Sequence, residues 1–265
     1  MIRRPQKRLL LLGGTGEAVI LAEAAQKYFG ADVEVITSLA GRTRHPVSPP
    51  GTVRVGGFGG IEGLTAFLRD EDIAAVIDAT HPFAAQISRY ARLAAENAKL
   101  PRLQLTRLPW QQQADDKWIL VKDVVAAASA VGALASKKSG SKLKVFLTIG
   151  SQEVEPFLAI SEVEYVLRQI DPAEKTLLAN VQVVIGRGPF TREREIEALA
   201  QYKVQILVTK ASGGTATYPK IEAARELKIP VIMISRPPSE SGDTVTEVMA
   251  AVEWIAEKLT DKRPK

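Results

Sequence analysis

The sequence contains no cysteine and only two histidines, His45 and His81, among its 265 residues. Without thiols the chain has no disulfide framework, no thiolate nucleophile and no metal site with cysteine ligands. Two histidines are also too few for a histidine-rich metal centre. We therefore expect no metal ion bound by the protein itself, and we look for chemistry that depends on another kind of group.

Long apolar runs are missing as well. No run approaches the roughly 20 residues that a membrane-spanning helix needs. The basic segment 1–8 followed by Leu9–Leu12 is similar to the start of a signal peptide, but it leads directly into a glycine-rich segment with no cleavage site of small residues. We therefore interpret Leu9–Leu12 as part of a first strand, and we expect a cytoplasmic protein with no membrane contact.

The composition is 46% hydrophobic and 25% charged, which is ordinary for a folded globular chain. The formal net charge of +5 favours an anionic partner. The basic residues are scattered, however, and they are not interleaved with aromatic residues as in a nucleic-acid-binding motif. We expect an anionic small molecule and no nucleic acid. No heptad pattern indicates an interface, so a monomer and a homodimer both remain open.

Short β-rich segments alternate with helical patterns, which is typical of parallel sheets wrapped by helices. The strands predicted in the first half are 8–12, 32–38, 52–55, 74–78 and 103–106. A polar segment broken by Pro109, residues 107–117, is the predicted linker. The strands predicted beyond it are 118–121, 144–149, 165–169, 182–185, 205–209 and 230–234. We predict an α/β protein with two Rossmann-like lobes, residues 1–108 and 109–265, each with a parallel sheet, and a ligand cleft between them.

A glycine-rich segment lies where the first strand meets the first helix. It comprises Gly13, Gly14, Thr15 and Gly16, and Glu17 follows it. Glycines there let the main chain approach a phosphate, and the helix N-terminus offers N–H groups to the anion. The dinucleotide fingerprint is incomplete, because the third glycine position holds valine. A tight turn without a ligand is the alternative. The strand-to-helix context favours phosphate binding, with the Thr15 hydroxyl as an additional contact.

The segment after the second strand contains no acidic residue. Sites specific for NAD place an Asp or Glu here to bind the ribose 2′-hydroxyl. Residues 37–44 instead contain Arg42 and Arg44. A guanidinium at this position suits the 2′-phosphate of NADPH, whereas solvent-exposed loop charges are the alternative. The position favours NADPH over NADH.

Two further loops follow strands that end at the same expected edge. Residues 56–60 place four glycines around Phe58. Such a glycine-rich segment packs poorly and leaves room for a ligand. After the fourth strand, His81 follows Asp78 closely and could donate a proton or hydrogen-bond a ligand. Alternatively, Asp78 or Thr80 caps the next helix near Pro82. Both interpretations can hold together.

Strands of the second half are followed by small, polar or basic residues. Because the carboxyl ends of parallel strands meet at one edge of a sheet, these residues would form a basic, glycine-lined surface. Such a surface suits a substrate with several carboxylates. The candidate substrate contacts are Ser151, Arg187, Lys210, Ser212, Gly213, Lys220 and Arg236.

In combination, several motifs resemble the precorrin-6A reductase family. These are the segments 13–18, 38–43, 56–60 and 78–84, followed by 107–110, 210–214 and 232–237. The resemblance runs in order from Leu9 to Arg236. It implies a two-lobed enzyme of cobalamin biosynthesis that uses NADPH to reduce one double bond of a tetrapyrrole, precorrin-6A or cobalt-precorrin-6A. The first lobe would bind the NADPH and the second the tetrapyrrole.

The resemblance also implies roles for individual residues. Segment 13–18 would hold the pyrophosphate, and the second lobe would hold the substrate carboxylates. Residues implied at the 2′-phosphate are Ser38, Arg42 and Thr43; Gly57, Thr80 and His81 complete the cofactor site, the last two near the nicotinamide. His81 is the candidate catalytic residue, although water or a substrate carboxyl group could equally supply the proton. A metal-free and a cobalt-containing substrate both remain open.

Two other classes of protein are weighed against this interpretation. An NADPH reductase of short-chain type, acting on another polycarboxylate, needs a Tyr-x-x-x-Lys pattern. None of the five tyrosines has a lysine four residues later. A non-catalytic NADP(H)-binding sensor would bind nucleotide without turnover and would expose an apolar patch to a partner protein. The sequence does not exclude this sensor.

Overall fold

The computed structural model describes residues 7–41, 48–138, 140–172 and 180–260. The elements up to Arg107 are β1 (Lys7–Leu12), α1 (Gly16–Phe29), β2 (Val33–Leu39), β3 (Thr52–Val55), α2 (Gly60–Asp70), β4 (Ile73–Asp78), α3 (Ala85–Ala98) and β5 (Arg102–Leu105). Those from Leu108 to Arg236 are β6 (Trp118–Val121), α4 (Val124–Ala135), β7 (Leu143–Thr148), α5 (Glu155–Leu158), β8 (Val163–Gln169), β9 (Val181–Ile185), α6 (Arg192–Gln201), β10 (Ile206–Lys210), α7 (Pro219–Glu226) and β11 (Val231–Ile234). The last two are β12 (Asp243–Val245) and α8 (Val248–Leu259).

The first compact unit combines the chain up to Arg107 with the chain from Pro237 onward. Its six strands are all parallel and lie in the order β3-β2-β1-β4-β5-β12. This is the 3-2-1-4-5-6 order of dinucleotide-binding sheets, in which ligands bind where the strand order reverses. The reversal lies between β1 and β4, and Leu12 pairs there with both Ser38 and Asp78. The ends of three strands therefore coincide.

The core of this unit explains why an uninterrupted apolar run forms its central strand. Alternate side chains of a strand point to opposite faces of the sheet. Leu9 and Leu11 pack with α1 and α8 on one face, whereas Leu10 and Leu12 pack with α2 and α3 on the other. All four leucines are at most 2% exposed. A strand that is covered on both faces needs apolar residues at every position.

The second unit comprises Leu108–Arg236. Its strands are also parallel and lie in the order β9-β8-β7-β10-β11-β6. Residues of α6 and α7 pack on one face of this sheet around Phe146, Leu207 and Met233. Strand order reverses between β7 and β10, so the loops after these two strands flank the position where open α/β sheets bind ligands.

The structure confirms the predicted fold class of two parallel α/β lobes, and it differs from the expected division of the chain in one respect. The C-terminal segment was expected in the second domain, 109–265, but it belongs to the first unit. The reason is that β12 pairs with β5 and α8 packs against α1. In the part of the chain that the structure describes, no helix is both long and apolar enough to cross a membrane.

Candidate functional site

The turn from β1 into α1 is built around glycines. Gly14 has a φ of 103°, a left-handed value that favours glycine. A Cβ atom added at Gly14 or Gly16 would meet nothing within 4 Å, so the main chain here borders open space. Gly13 instead lies tight against the sheet and donates its N–H to the Ser38 carbonyl at 3.0 Å. The turn is therefore closed on the side of the sheet and open at the N-terminus of α1.

Thr15 connects this turn to the end of β4. Its hydroxyl oxygen accepts from the Ala18 N–H at 3.2 Å and so caps α1. The same hydroxyl donates to the Ala79 carbonyl at 2.7 Å. A hydroxyl has a single hydrogen, which is already used here. The Thr15 hydroxyl therefore has no hydrogen left to donate to a phosphate in this arrangement.

Glu17 lies in the first turn of α1, where a negative charge is favoured by the helix dipole. Its carboxylate accepts from the Arg107 guanidinium at 2.6 Å. Arg107 lies just beyond β5, so the ion pair connects the start of α1 to the end of another strand of the same sheet. The geometry gives Glu17 a role in positioning the helix N-terminus.

The end of β2 has a guanidinium, but it comes from a residue that the sequence analysis did not select. Ser38 is buried, and its hydroxyl accepts from Nη1 of Arg54 at 2.8 Å. Arg54 is the register partner of Ser38 on the neighbouring strand β3. The predicted residues Arg42 and Thr43, together with Arg44, lie outside the described residues. Nothing in the sequence gives the register of β2 against β3, and this register is what brings Arg54 to Ser38.

The loop after β3 wraps around the Arg54 side chain. Its guanidinium donates to the carbonyl oxygens of Gly56 and Gly57 at 3.0 Å each. The guanidinium carbon lies 3.9 Å from the centroid of the Phe58 ring, within cation–π distance. Partial burial lowers the pKa of Arg54 from its usual value. The glycine-rich loop 56–60 therefore packs around a cation as well as leaving space, which the sequence interpretation did not anticipate.

The loop after β4 is held by a buried carboxylate. Oδ1 of Asp78 accepts from the main-chain N–H and the hydroxyl of Thr80, at 3.1 and 2.7 Å. Its Oδ2 lies 3.5 Å from Nη2 of Arg102. Helix α3 starts after Ala84 and has no side-chain cap. The alternative in which Asp78 or Thr80 caps this helix is therefore wrong, because Ala84 is the N-cap residue.

His81 lies in this same loop and is partly buried. Its Nδ1 accepts from the Phe83 N–H at 3.2 Å, and its ring lies against the Phe83 ring. A ring nitrogen that accepts a hydrogen bond carries no hydrogen. The bond therefore favours the tautomer with the hydrogen on Nε2. The Thr80–His81 segment and the turn 13–16 lie at the same edge of the sheet, as predicted, and they flank the reversal between β1 and β4.

In the second unit, the loop after β10 is fixed by Arg236. The guanidinium donates to the carbonyl oxygens of Ala211 and Ser212 at 2.7 and 2.8 Å. Gly213 has a φ of 66°, and an added Cβ would collide with Arg236 and with the Leu108 carbonyl. Arg236 and Gly213 thus shape the loop itself, which is a role that the sequence analysis did not assign to them.

The other predicted substrate residues also follow strand ends at this edge. Lys210 ends β10 and forms an ion pair with Glu153, and the Ser212 hydroxyl lies 3.4 Å from the Lys210 carbonyl. Ser151 follows β7 and Arg187 follows β9, and both side chains are exposed. Because all strands of the sheet are parallel, these loops lie at one edge, as predicted.

Lys220 belongs to a buried charged cluster, formed by Lys220, Arg168, Glu195 and Thr148. The Lys220 side chain is 7% exposed, and its Nζ donates to the Thr148 hydroxyl at 3.3 Å. Arg168 makes two bonds with Glu195, at 2.6 and 3.1 Å. Burial lowers the pKa of Lys220 to about 8, while Glu195 opposes this shift and Arg168 adds to it. Arg168 and Glu195 could not be selected from the sequence, since nothing local distinguishes them from other residues of a strand and a helix.

Comparison with known proteins agrees with this arrangement. Residues 8–256 match the family model described as precorrin-6x reductase CbiJ/CobK. A precorrin-6A reductase of Rhodococcus erythropolis is 41% identical over 94% of this chain and 97% of its own length. A cobalt-precorrin-6A reductase of Priestia megaterium is 32% identical over 92% of this chain and 97% of its own.

The solved structures include a similar fold over nearly the whole chain. The structure of CobK precorrin-6A reductase superposes with a TM-score of 0.88 at 39% identity, covering 96% of this chain and 98% of that one. The similarity in sequence and in structure therefore extends across both units. The chain belongs to the precorrin-6x reductase family.

Proposed function

We propose that the protein is an NADPH-dependent reductase that saturates one carbon–carbon double bond of precorrin-6A or its cobalt complex in cobalamin biosynthesis. The observation that carries this proposal is an open glycine turn at the β1–β4 reversal, in a chain whose relatives are named for this reaction. A cytoplasmic site of action agrees with a biosynthetic role and stays a prediction.

The residues of the first unit fit a dinucleotide. The open main chain at Gly14 and Gly16 borders the N-terminus of α1, where N–H groups and the helix dipole favour the pyrophosphate. Gly13 and Thr15 support this turn, and Glu17 steadies its helix. The proposed 2′-phosphate residues are Ser38, Arg42 and Thr43, with Gly57 in the adjoining loop. The bound cofactor supplies the hydride, and the protein supplies orientation and electrostatics.

The Thr80–His81 loop is proposed to lie beside the nicotinamide. Asp78 holds Thr80 through two hydrogen bonds, so the loop keeps its shape without the ligand. The Nδ1 bond of His81 directs its donor function to Nε2. We therefore assign to His81 a hydrogen bond from Nε2 to cofactor or substrate. Transfer of a proton from His81 to the substrate is a separate hypothesis, which requires more than this hydrogen bond.

The second unit is proposed to bind the carboxylates of the macrocycle. The Lys220 ammonium has three donors, and only the Thr148 hydroxyl accepts from it within the described chain. The cluster has one carboxylate against two cations, so an anion would complete its charge balance. Ser151, Arg187 and Lys210 add donors at the same edge, where Ser212 and Gly213 form a loop that Arg236 holds.

Isotope transfer tests this function directly. The protein is incubated without oxygen with precorrin-6A or its cobalt complex and with NADPH deuterated at the transferable position of the nicotinamide. One deuterium in the reduced macrocycle, detected by mass spectrometry, is the expected result. Reduction without deuterium would contradict hydride transfer from the nicotinamide, and turnover of a different polycarboxylate alone would contradict the substrate.

A further inference from the structure

We propose that Arg54 contributes to the selectivity of the nucleotide site for a 2′-phosphate. The inference rests on the proposed use of NADPH, and it concerns a residue outside the motifs that predict this cofactor. The geometry of three neighbours carries it: Ser38 on β2, the carbonyl oxygens of the loop 56–57, and the Phe58 ring.

The position of the guanidinium is the first part of the case. In a sheet of the 3-2-1-4-5-6 order, the end of β2 is where the adenosine ribose presents its 2′ oxygen. Ser38 is the penultimate residue of β2, and Arg54 lies opposite it on β3. The bond of 2.8 Å from Arg54 Nη1 to the Ser38 hydroxyl places the cation at this strand end.

Some hydrogen-bond donors of the Arg54 guanidinium have no acceptor among the described residues. A guanidinium carries five N–H groups. Nη1 donates to Ser38 and Gly56, and Nη2 donates once, to Gly57. Within the described segments the Nε–H and the second Nη2 hydrogen have no acceptor. The Nε–H and the nearer Nη2 hydrogen of a guanidinium share one edge, and such an edge makes two parallel bonds with an oxyanion.

The Arg54 side chain is also held rigidly by its neighbours. The Phe58 ring covers one face of the guanidinium at 3.9 Å, and the Phe67 ring packs edge-on against Phe58 at a centroid distance of 5.2 Å. Three acceptors and a ring therefore hold the side chain before any ligand arrives. An arginine fixed in this way loses little conformational entropy on binding, which favours affinity.

The charge of Arg54 also needs a partner. Across the described residues, no carboxylate lies within ion-pair distance of its guanidinium. The nearest acid along β2, Glu34, pairs with Arg8 and accepts from Thr52 instead. A partly buried cation without a counterion is stabilised by a dianion such as a phosphate monoester.

Selectivity is measured by calorimetric titration of the wild type and variants with NADP⁺, NAD⁺ and adenosine 2′-phosphate. Arg54→Met keeps the length of the side chain and removes its charge and donors. We expect NADP⁺ and adenosine 2′-phosphate to bind it at least roughly tenfold more weakly, in line with the loss of charged hydrogen bonds. NAD⁺ affinity should stay within about twofold, because NAD⁺ makes no such bonds.

Two further variants serve as controls. Arg69→Met removes an arginine on α2 that donates to the Asn97 carbonyl, and it should leave both affinities unchanged. Arg54→Lys keeps the charge and lacks the two-donor edge, so its NADP⁺ affinity should lie between those of the wild type and Arg54→Met. The lysine variant also keeps the cation beside Phe58, which preserves a test if the methionine variant unfolds.

An equal loss of NADP⁺ and NAD⁺ affinity, or an unchanged ratio between them, would overturn the assignment of Arg54 while leaving the reductase proposal intact. A wild-type protein that binds NAD⁺ as tightly as NADP⁺ would overturn both this inference and the proposed cofactor. The two failures are therefore distinguishable in one set of titrations.

Discussion

The hydroxyl of Thr15 donates to the main-chain carbonyl of Ala79 at 2.7 Å, across the reversal between β1 and β4. One side chain thus connects the glycine turn to the loop that contains Thr80 and His81. It also caps the first helix through the Ala18 N–H. The loops proposed to hold the pyrophosphate and the nicotinamide are therefore fixed to each other before the cofactor binds.

Replacing Thr15 should affect stability and cofactor binding together. Thr15→Val keeps the shape of the side chain but loses the helix cap, which is worth roughly 0.5–2 kcal/mol, and leaves the buried Ala79 carbonyl without its donor. The free energy of unfolding, measured with urea, should decrease accordingly, and NADPH should bind more weakly. Thr15→Ser retains the hydroxyl and should stay close to the wild type. A loss in Thr15→Ser as large as that in Thr15→Val would contradict the assignment of the effect to the hydroxyl.

The tautomer of His81 leads to a prediction for two variants. If Nε2 acts as a hydrogen-bond donor, His81→Gln should retain most activity, because its amide nitrogen can reach a similar position. His81→Ala should lose considerably more of kcat/KM. If His81 instead transfers the proton, both variants should lose roughly 10²-fold or more in kcat, as is usual for a lost general acid. Steady-state kinetics over a pH series distinguishes these outcomes, and we expect the first.

The Lys220 cluster predicts a pH dependence of substrate binding. The pKa of Lys220 is lowered to about 8, so its ammonium group loses a proton as the pH rises through this value. KM for the macrocycle should therefore increase above about pH 8, whereas the affinity for NADPH should stay unchanged over this range. Glu195→Gln removes the carboxylate that supports the charge, so the rise in KM should begin at a lower pH. An unshifted profile in this variant would exclude Lys220 as the titrating group.

The same residue predicts an unusual effect on stability. A lysine whose pKa is lower in the folded state costs stability once it is protonated, so the cost is absent above the unfolded pKa and grows as pH falls from there toward 8. Lys220→Met should therefore unfold at the same or a higher temperature than the wild type near pH 7, while its KM for the macrocycle rises. A variant that is both unstable and impaired would indicate a purely structural lysine.

Gly213 tests the role of Arg236 in holding the β10 loop. In Gly213→Ala, the new methyl group meets the guanidinium and the Leu108 carbonyl, and its φ is unfavourable for alanine. We expect a loss of roughly 1–3 kcal/mol in the free energy of unfolding. Gly132 lies inside α4, and a Cβ atom added there would have its nearest neighbour at 3.8 Å. Gly132→Ala should therefore be neutral or stabilising by up to about 1 kcal/mol. Equal stability of the two variants would contradict the collision.

The fold and the glycine turn after β1 were predictable because their signals are local. Leu9–Leu12 is apolar at every position, as a doubly covered strand requires, and it runs directly into glycines. Strand β12 gave no such signal, since Asp243–Val245 is short and partly polar and is defined by its pairing with β5. Its placement depends on a contact with a residue far away in the sequence.

The candidate site was predictable only in part, for the same reason. Gly14 and His81 were selected from their positions after strands, and these positions are visible in the sequence. Arg54 was not selected because its contact with Ser38 depends on the register between two strands. Arg236 was selected as a ligand contact because its charge is visible in the sequence, whereas its hydrogen bonds to Ala211 and Ser212 are not.

The proposed reaction is tested most directly by anaerobic oxidation of NADPH, followed at the nicotinamide absorption band, with precorrin-6A and with its cobalt complex as separate substrates. We predict oxidation of one NADPH for each macrocycle reduced, with one of the two forms strongly preferred. Binding of NADPH without reduction of either macrocycle would contradict the proposed reaction and would favour a nucleotide-binding sensor.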